Sequence, residues 1–351
     1  MKCAVYYGPG DVRLEDRPVP EPGPGQLLVR VDYVGICGTD VHSYQRAGII
    51  APVRVFGHET VGTVARVGEG VAGFLPGEQI LCGPPTHCRE NCPSCRRGET
   101  NICLNGFPRT AGIGALDGGY AEYMLVHDVR HTMLVPVPAG VDAREAVLFD
   151  VVCVAFHAIR KSRFRLGDTA VVSGGGSIGL SAIALLKLAG ASRIIALEVA
   201  EDKHAIMRAY GADQVINPAQ VHDVGAAVRD AIGSGVGADV VFECVGRAES
   251  VETCVMHCVR PGGQVMLVGA GAEPLSLVTA RFVPREIDLQ CSFVYTEDEV
   301  RTYLALMAAG KVDFSALVTD VIRLEECVER GLERLSRPGN GQIKVLIAPS
   351  A

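Results

Sequence analysis

The segment CGTDVHSYQRAGIIAPVRVFGHET combines side chains that bind metals with side chains that carry protons. It begins at Cys37 and ends just after His58 and Glu59, and thiolate, imidazole and carboxylate groups are all ligands of zinc. Thr39 and His42 lie between them, and each could accept a proton and pass it on. The segment is therefore either half of a catalytic metal site or a group of polar residues in a loop.

A further acidic residue, Asp150, lies inside the apolar run AVLFDVVCVAF. A carboxylate that is buried without a partner is costly, so Asp150 needs a cation or strong hydrogen-bond donors. On a helix, Asp150, Cys153 and His157 would share one face because they are spaced i, i+3 and i+7. The alternative for Asp150 is a helix N-cap.

Five of the thirteen cysteines fall between Cys82 and Cys103, in and just before HCRENCPSCRRGETNIC. The N-terminal residues lack the pattern of a secretion signal, so we expect metal binding or catalysis rather than disulfides. Four thiolates at short spacing suit a closed tetrahedral structural zinc site. The four candidate ligands are Cys88, Cys92, Cys95 and Cys103.

The run TAVVSGGGSIGLSAIALLKLAG contains the pattern G-x-G-x-x-G between a predicted strand and a predicted helix. Glycines there permit a tight turn and let a pyrophosphate approach the helix N-terminus. Glu198 ends the next predicted strand, where a carboxylate would accept hydrogen bonds from ribose hydroxyls. A purely structural turn is the alternative. The residues assigned to this cofactor site are Gly174, Gly176, Ser177, Ile178, Gly179, Glu198, Val245 and Val268.

Two kinds of segment must position these groups. The first part of the chain, to about residue 145, is rich in glycine and proline and has short valine-rich runs, which predict β-strands. Beyond it, strand-like and helical runs alternate, which predicts a doubly wound parallel sheet of the α/β class. We expect one domain over 1–150 and 294–351, with a cysteine lobe near 82–103, and a nucleotide-binding domain over 151–293.

Composition excludes some classes of function. The net charge of −7 speaks against a nucleic-acid partner, which would normally meet a basic face. The longest apolar run is too short for a bilayer and carries Asp150 and His157, so no membrane association is expected. We expect a cytoplasmic protein that acts on a small molecule.

Three motifs occur in one order: CGTDVH, then GHETVGTVARVGEGV, then the glycine-rich fingerprint. In this the chain resembles the zinc-dependent medium-chain dehydrogenase/reductase family, including its alcohol, polyol and threonine dehydrogenases. The resemblance implies a mostly β GroES-like catalytic domain beside a Rossmann domain, NAD as cofactor and two Zn²⁺ per subunit. It also implies a homo-oligomer, either a dimer or a tetramer.

The resemblance also implies roles for single residues. Cys37 and His58 match the first two ligands of the catalytic zinc, and Glu59 matches a glutamate that is a direct ligand in some relatives and lies behind the ligands in others. Asp150 lies where the family has Cys, Glu or Asp. Thr39 and His42 match a proton relay, in which Thr39 takes the hydroxyl proton of the alcohol and passes it through the nicotinamide ribose to His42.

The cysteine lobe departs from the family pattern C-x₂-C-x₂-C-x₇-C. Three residues, rather than two, separate Cys88 from Cys92. His87 or Cys82 could replace Cys88 as a ligand, or the lobe could hold no metal.

The resulting hypothesis is reversible oxidation of a secondary alcohol of a polyol, diol, sugar or hydroxy-amino acid to a ketone, with hydride transfer to NAD. Alternatives are an L-threonine 3-dehydrogenase, a zinc-free quinone or enone reductase, a zinc-binding module without catalysis, and a binding protein that has kept the fold but lost activity. The substrate has no motif of its own. The residues expected to line its pocket are Tyr44, Phe107, Phe293 and Tyr295, of which the tyrosines could equally be packing residues.

Overall fold

The structure is a computed structural model that describes residues 1–46, 48–89, 91–337 and 339–350. It divides into two compact units, one formed by Met1–Asp150 with Val294–Ala351 and the other by Val151–Phe293. No helix within the described ranges is long and apolar enough to cross a lipid bilayer.

The strands are β1 (Lys2–Gly8), β2 (Asp11–Asp16), β3 (Leu27–Gly35), β4 (Arg54–Val55), β5 (Glu59–Val67), β6 (Gln79–Gly83), β7 (Tyr123–Val126), β8 (Met133–Pro136), β9 (Thr169–Ser173), β10 (Arg193–Leu197), β11 (Gln214–Ile216), β12 (Ala238–Glu243), β13 (Val259–Leu267), β14 (Asp288–Cys291), β15 (Val318–Arg323) and β16 (Lys344–Ala348).

The α-helices are α1 (Gly38–Gln45), α2 (Pro93–Arg96), α3 (Ala143–Ala146), α4 (Phe149–Lys161), α5 (Ser177–Leu188), α6 (His204–Ala209), α7 (Val224–Ile232), α8 (Ala248–Thr253), α9 (Thr279–Phe282) and α10 (Glu297–Ala308). Short 3₁₀ turns cover Thr100–Ile102, Phe107–Arg109, Glu201–Lys203, Val283–Arg285, Ser315–Leu317 and Leu324–Glu326, and π-helical turns cover Cys254–Cys258 and Cys327–Glu333.

The unit that contains the N-terminus is mostly β, as its valine-rich runs predict. Its main sheet has the order β15-β16-β3-β5-β6-β8, with β7 also paired to β3, and a second sheet has the order β2-β1-β4. Pairing of β3 with β5 is antiparallel and sets Gly35 opposite Glu59. That register brings the segment after β3, which starts α1, beside the segment that leads into β5. The apolar side chains of these strands are buried together, among them Val29, Val31 and Val34.

The last strand, β16, pairs with β3 on the other edge. The pairing is antiparallel, with Leu346 opposite Gly35, while β15 runs parallel to β16 on its outer side. Every residue of β16 is buried, including Lys344. The sheet therefore places a lysine close to the end of β3.

The second unit is a parallel sheet of order β11-β10-β9-β12-β13-β14 with helices between the strands, so the predicted doubly wound α/β arrangement is confirmed. From β9 the chain builds outward to β11, then returns and builds outward from β12 to β14. The order therefore reverses between β9 and β12, and ligands of such sheets bind at the carboxyl ends of the strands at this switch point.

Candidate active site and cysteine lobe

Four side chains from distant parts of the chain meet in the first unit. Cys37, His58, Glu59 and Asp150 each offer a ligand atom, and these atoms all lie within 4.8 Å of one another. Cys37 caps the N-terminus of α1, His58 directly precedes β5, whose first residue is Glu59, and Asp150 is the second residue of α4. The β3–β5 register brings the first three together, because Glu59 is opposite Gly35.

The cluster brings acidic groups close together in a buried part of the unit. Burial, followed by the charge of Glu59, raises the pKa of Asp150 to about 6. Burial lowers the pKa of His58, but the neighbouring Cys37 and Asp40 outweigh it and raise the pKa to about 10. Buried anions need a compensating cation. A thiolate, an imidazole and carboxylates form a donor set suited to Zn²⁺, so the residues fit this ion.

Asp40 supports the cluster and was not singled out from the sequence. Its side chain is fully buried, and Oδ2 accepts hydrogen bonds from the backbone N–H of Cys37 at 3.0 Å and the hydroxyl of Tyr120 at 3.1 Å. The other oxygen, Oδ1, lies 3.8 Å from Nδ1 of His58. Asp40 thus connects two of the candidate ligands. An acidic residue three positions after a helix N-cap is a capping signal that could have identified it.

Lys344 also belongs to this environment. Its ammonium group forms a buried ion pair with the Glu59 carboxylate and donates to the carbonyl of Ile36 at 3.0 Å. Burial raises the pKa of Glu59, but the charges of Lys344 and His58 together outweigh this, and the pKa lies below its usual value. The sequence signal was a lysine in the otherwise apolar strand KVLIA, where an unpaired charge is costly.

The aromatic residues expected to line a substrate pocket have different surroundings. Tyr295 is fully buried, and its hydroxyl donates to Oδ1 of Asp150 at 2.5 Å. Tyr44 is partly buried and donates to Glu333 at 3.2 Å. Phe107 and Phe293 have exposed side chains. The two tyrosines therefore have defined hydrogen-bond partners within the first unit.

Thr39 and His42 both lie on α1, three residues apart and hence on neighbouring turns of one face. Thr39 is half-buried and two residues from Cys37, whereas His42 is exposed. Their arrangement leads outward from the cluster, and the relay stays a prediction.

The second cluster lies entirely in the lobe. The sulfur atoms of its four cysteines, Cys88, Cys92, Cys95 and Cys103, lie within 4.8 Å of one another. Cys88 is part of the group, whereas Cys82 and His87 are not. Arg89 has a φ of 42°, a left-handed conformation, next to the extra residue of the loop. Glu90, in the loop between Cys88 and Cys92, lies outside the described residues.

Backbone groups surround these sulfur atoms. The N–H of Cys88 donates to the sulfur of Cys103 at 3.2 Å, and the N–H of Cys95 donates to that of Cys92 at 3.5 Å. Hydrogen bonds from the backbone of Cys95 and Leu104 lower the pKa of Cys92 to about 6. Four clustered sulfurs with N–H donors fit a closed tetrahedral zinc site.

The glycine-rich loop lies in the second unit, between β9 and α5. Gly174 has a φ of 105°, and a side chain on Gly179 would approach the carbonyl oxygen of Gly174 to 1.9 Å. Both positions therefore require glycine. Gly176 is the N-cap of α5, so Ser177 and Ile178 form its first turn, where backbone N–H groups are free to bind an anion.

Three other predicted cofactor residues follow strands of the same sheet. Glu198 directly follows β10, and its carboxylate accepts hydrogen bonds from the backbone N–H of Gly175 at 2.5 Å and of Ala200 at 2.8 Å. Val245 and Val268 follow the carboxyl ends of β12 and β13. All three lie at the edge of the sheet where nucleotides bind in this fold.

Comparison with known proteins agrees with this arrangement. Residues 23–139 match the alcohol dehydrogenase GroES-like domain, and residues 177–309 match the zinc-binding dehydrogenase domain. The chain is 31% identical to the (R,R)-butanediol dehydrogenase of Neisseria gonorrhoeae over 366 residues, covering all of both chains. It is 31% identical to the D-xylulose reductase A of Aspergillus niger over 352 residues, which cover 98% of this chain and 95% of that protein.

A solved structure is also similar over its whole length. A protein of Sinorhizobium meliloti 1021 assigned as a zinc-binding dehydrogenase, bound to NADP, superposes with a TM-score of 0.89 at 30% identity and 99% coverage of both chains. The chain therefore belongs to the zinc-dependent medium-chain dehydrogenase/reductase family of NAD-linked alcohol and polyol dehydrogenases.

Proposed function

We propose that the protein oxidises a secondary alcohol of a polyol or diol to the ketone, reversibly, with hydride transfer to NAD. The observation that carries the proposal is the group formed by the half-buried Cys37 and the buried His58, Glu59 and Asp150, whose ligand atoms lie within 4.8 Å of one another. The unit Met1–Asp150 with Val294–Ala351 would be catalytic, and the unit Val151–Phe293 would bind NAD. Assembly into a homo-dimer or homo-tetramer stays a prediction.

Cys37, His58 and Asp150 would hold the catalytic zinc. When bound there, zinc polarises the alcohol oxygen and lowers its pKa, which makes an alkoxide accessible near neutral pH. Glu59 lies in the same group, but Lys344 neutralises its carboxylate from behind. Glu59 would therefore lie beside the metal as the partner of Lys344, and Asp40 would orient His58 through the Oδ1 oxygen that faces its ring.

Thr39 and His42 would move the proton that the alcohol loses. The hydroxyl of Thr39 lies two residues from Cys37 on the first turn of α1, where it can accept that proton. His42 follows on the next turn and is exposed, so it can exchange the proton with solvent. Positioned acid–base groups of this kind typically contribute about 10²–10⁴-fold to the rate.

Glu198 would select NAD over NADP. Its carboxylate is fixed by two backbone N–H groups at the end of β10, where the adenosine ribose lies in this fold. A carboxylate there accepts hydrogen bonds from both ribose hydroxyls and repels a 2′-phosphate. The residues after it include Glu201 and Asp202, and Lys203 is the next cation along the chain. The similar structure from Sinorhizobium meliloti was solved with NADP bound, so the affinities of this protein for NAD and NADP must be compared directly.

The cysteine lobe would hold a second zinc that stabilises the fold. Its four sulfur atoms form a closed set, which leaves no ligand position for a substrate. A structural zinc site contributes free energy to folding rather than to chemistry.

An L-threonine 3-dehydrogenase is the second candidate, because the family places an aspartate like Asp150 in its threonine and sorbitol branches. The similarity to a butanediol dehydrogenase and a D-xylulose reductase favours diols and polyols instead. We call the group of Cys37, His58, Glu59 and Asp150 the Cys37 cluster. A zinc-free quinone or enone reductase is disfavoured because such an enzyme would not need these potential zinc ligands.

The test is turnover of the zinc-loaded protein on butane-2,3-diol, xylitol, sorbitol and L-threonine, followed by NADH absorbance. We expect a diol or polyol to give the highest kcat/KM, and NAD to be preferred over NADP. The Asp150→Asn variant, which keeps the size of the side chain but removes its charge, is the matched control and should be inactive. Oxidation of L-threonine alone would favour the second candidate, and turnover of none of the four would contradict the proposal.

A further inference from the structure

Tyr295 places its hydroxyl group on a proposed metal ligand. The hydroxyl donates to Oδ1 of Asp150 at 2.5 Å, and the side chain is fully buried. Two other buried tyrosines of this unit donate to backbone carbonyls instead, and a third, Tyr120, donates to the carboxylate of Asp40. Tyr303 donates to the backbone carbonyl of Glu145, and Tyr6 donates to that of Ser43. Tyr295 therefore contacts a proposed metal ligand directly, whereas Tyr120 contacts Asp40, which lies beside the ligands.

The ring of Tyr295 is held from one side by its neighbour on α4. Phe149 packs edge-to-face against it, with 6.0 Å between the ring centroids and 82° between the ring planes. Phe149 directly precedes Asp150, so the same segment fixes both ends of the hydrogen bond. Aromatic pairs in this geometry contribute attraction beyond the area they bury.

The backbone on both sides of Tyr295 is also constrained. Val294 has a φ of 55°, which is a rare conformation for a β-branched residue and persists only where the surroundings impose it. After Tyr295, the backbone N–H of Thr296 donates to Glu299 at 2.8 Å and closes the N-terminal cap of α10. The backbone is therefore strained at Val294, directly before the buried Tyr295.

A carboxylate has two oxygens, and rotation of the side chain changes which of them faces a metal ion. When Oδ1 of Asp150 accepts the Tyr295 hydroxyl, the side chain can no longer turn freely about its last bond. The carboxylate is then held in one orientation within the group of candidate ligands. Hydrogen-bonded partners of this kind orient metal ligands and typically change metal affinity by about 10–100-fold.

We propose that Tyr295 is a positioning residue for the catalytic zinc, which fixes the orientation of the Asp150 carboxylate toward the metal. The inference rests on the proposed function, because it takes Asp150 as a zinc ligand. It assigns to Tyr295 a role through Asp150 rather than a contact with substrate.

The test compares Tyr295→Phe with Tyr303→Phe in the full chain. Each substitution removes one buried hydroxyl and keeps the ring, but the hydroxyl of Tyr295 donates to Asp150 and that of Tyr303 to the backbone carbonyl of Glu145. Zinc affinity is measured by competition with a chelating indicator after removal of metal. We expect one of the two zinc sites to bind about 10–100-fold more weakly in Tyr295→Phe and both to be unchanged in Tyr303→Phe. An affinity in Tyr295→Phe within twofold of that in Tyr303→Phe would overturn the inference.

Cobalt substitution supplies a readout that does not depend on activity. The visible absorption of Co²⁺ reports the geometry of its ligands, so Tyr295→Phe should alter the bands of the Cys37 site and leave those of the cysteine lobe unchanged. Unaltered bands at both sites would count against the inference even if the variant were less stable.

Asp150→Asn separates failure of the inference from failure of the proposed site. If zinc affinity is unchanged in Asp150→Asn, the ligand assignment itself is wrong. If Asp150→Asn loses zinc but Tyr295→Phe does not, only the role of Tyr295 is wrong. In the double variant, we expect loss of the hydroxyl to change zinc affinity less than twofold further, because its partner is already altered. Fully independent effects would mean that Tyr295 does not act through Asp150.

Discussion

The two clusters of potential metal ligands are built in opposite ways. The cysteine lobe takes all four sulfur atoms from Cys88 to Cys103, and backbone N–H groups of the same segment donate to them. The Cys37 cluster collects its donors from α1, β5 and α4, and other side chains hold them: Asp40, Lys344 and Tyr295. A site assembled from distant segments needs added side chains to orient its ligands, whereas a local site can use its own backbone.

Cys37→Ser should show the largest difference between the two clusters, because it removes a ligand from the Cys37 cluster alone. We expect turnover to fall to background and zinc content to fall from two ions to one per chain. Elemental analysis with an activity assay checks this. Cys291→Ser is the control, since Cys291 is exposed and belongs to neither cluster. Retention of two zinc ions in Cys37→Ser would contradict the assignment.

Thr39→Val should remove chemistry while leaving both clusters intact. Valine has nearly the same shape but cannot accept a proton, so we expect kcat to fall by about 10²–10⁴-fold. Zinc content and NADH affinity, followed by NADH fluorescence, should not change. Thr39→Ser keeps the hydroxyl and should retain most of the activity. A Thr39→Val enzyme with a near-normal rate would show that the relay is wrongly placed.

Lys344→Met tests whether the Cys37 cluster depends on a side chain that is distant in the sequence. Removal of the ammonium leaves Glu59 buried without its partner, which typically costs about 3–5 kcal/mol. Urea unfolding of the metal-free protein measures this loss, and bound zinc should recover part of it. Lys2→Met, which removes an exposed ion pair with Glu325, should leave the unfolding curve nearly unchanged. Equal effects of the two variants would contradict the role of Lys344.

Cys95→Ser should have the smallest effect on turnover and a clear effect on stability. Loss of one thiolate opens the lobe, so we expect one zinc ion to be lost and the melting temperature to fall. Activity per correctly folded molecule should stay within a few-fold of the unchanged protein. Calorimetry and zinc analysis check both parts. A loss of activity as complete as in Cys37→Ser would remove the distinction between the two clusters.

The alternation of strands and helices after residue 145 predicted the parallel sheet, because that pattern has few other solutions. The candidate ligands could be selected because Cys37, His58 and Glu59 stand in a short signature. Asp40 lies in the same signature, but the supporting residues Tyr295 and Lys344 could not be selected in this way. Tyr295 lies 145 residues from Asp150, and Lys344 lies 308 residues from Ile36, so no local pattern connects these pairs.

The cysteine lobe shows a different limit of sequence reasoning. The extra residue between Cys88 and Cys92 left His87 and Cys82 open as replacements for Cys88. The structure brings Cys88 to the other three sulfurs, with Arg89 in a left-handed conformation beside the extra residue. The number of residues between two cysteines does not determine where their side chains point, because this also depends on the backbone conformation of the residues between them.

The pairing of β16 with β3 has a consequence for the order of events during biosynthesis. The ribosome makes β16 after every other strand of its sheet, so the positive charge that faces Glu59 is the last component of the Cys37 cluster to emerge. All four thiols of the lobe are present as soon as Cys103 has left the exit tunnel. If the lobe holds zinc as proposed, it could bind the ion while the chain is still being translated, whereas the Cys37 cluster would reach its final arrangement only after synthesis of β16.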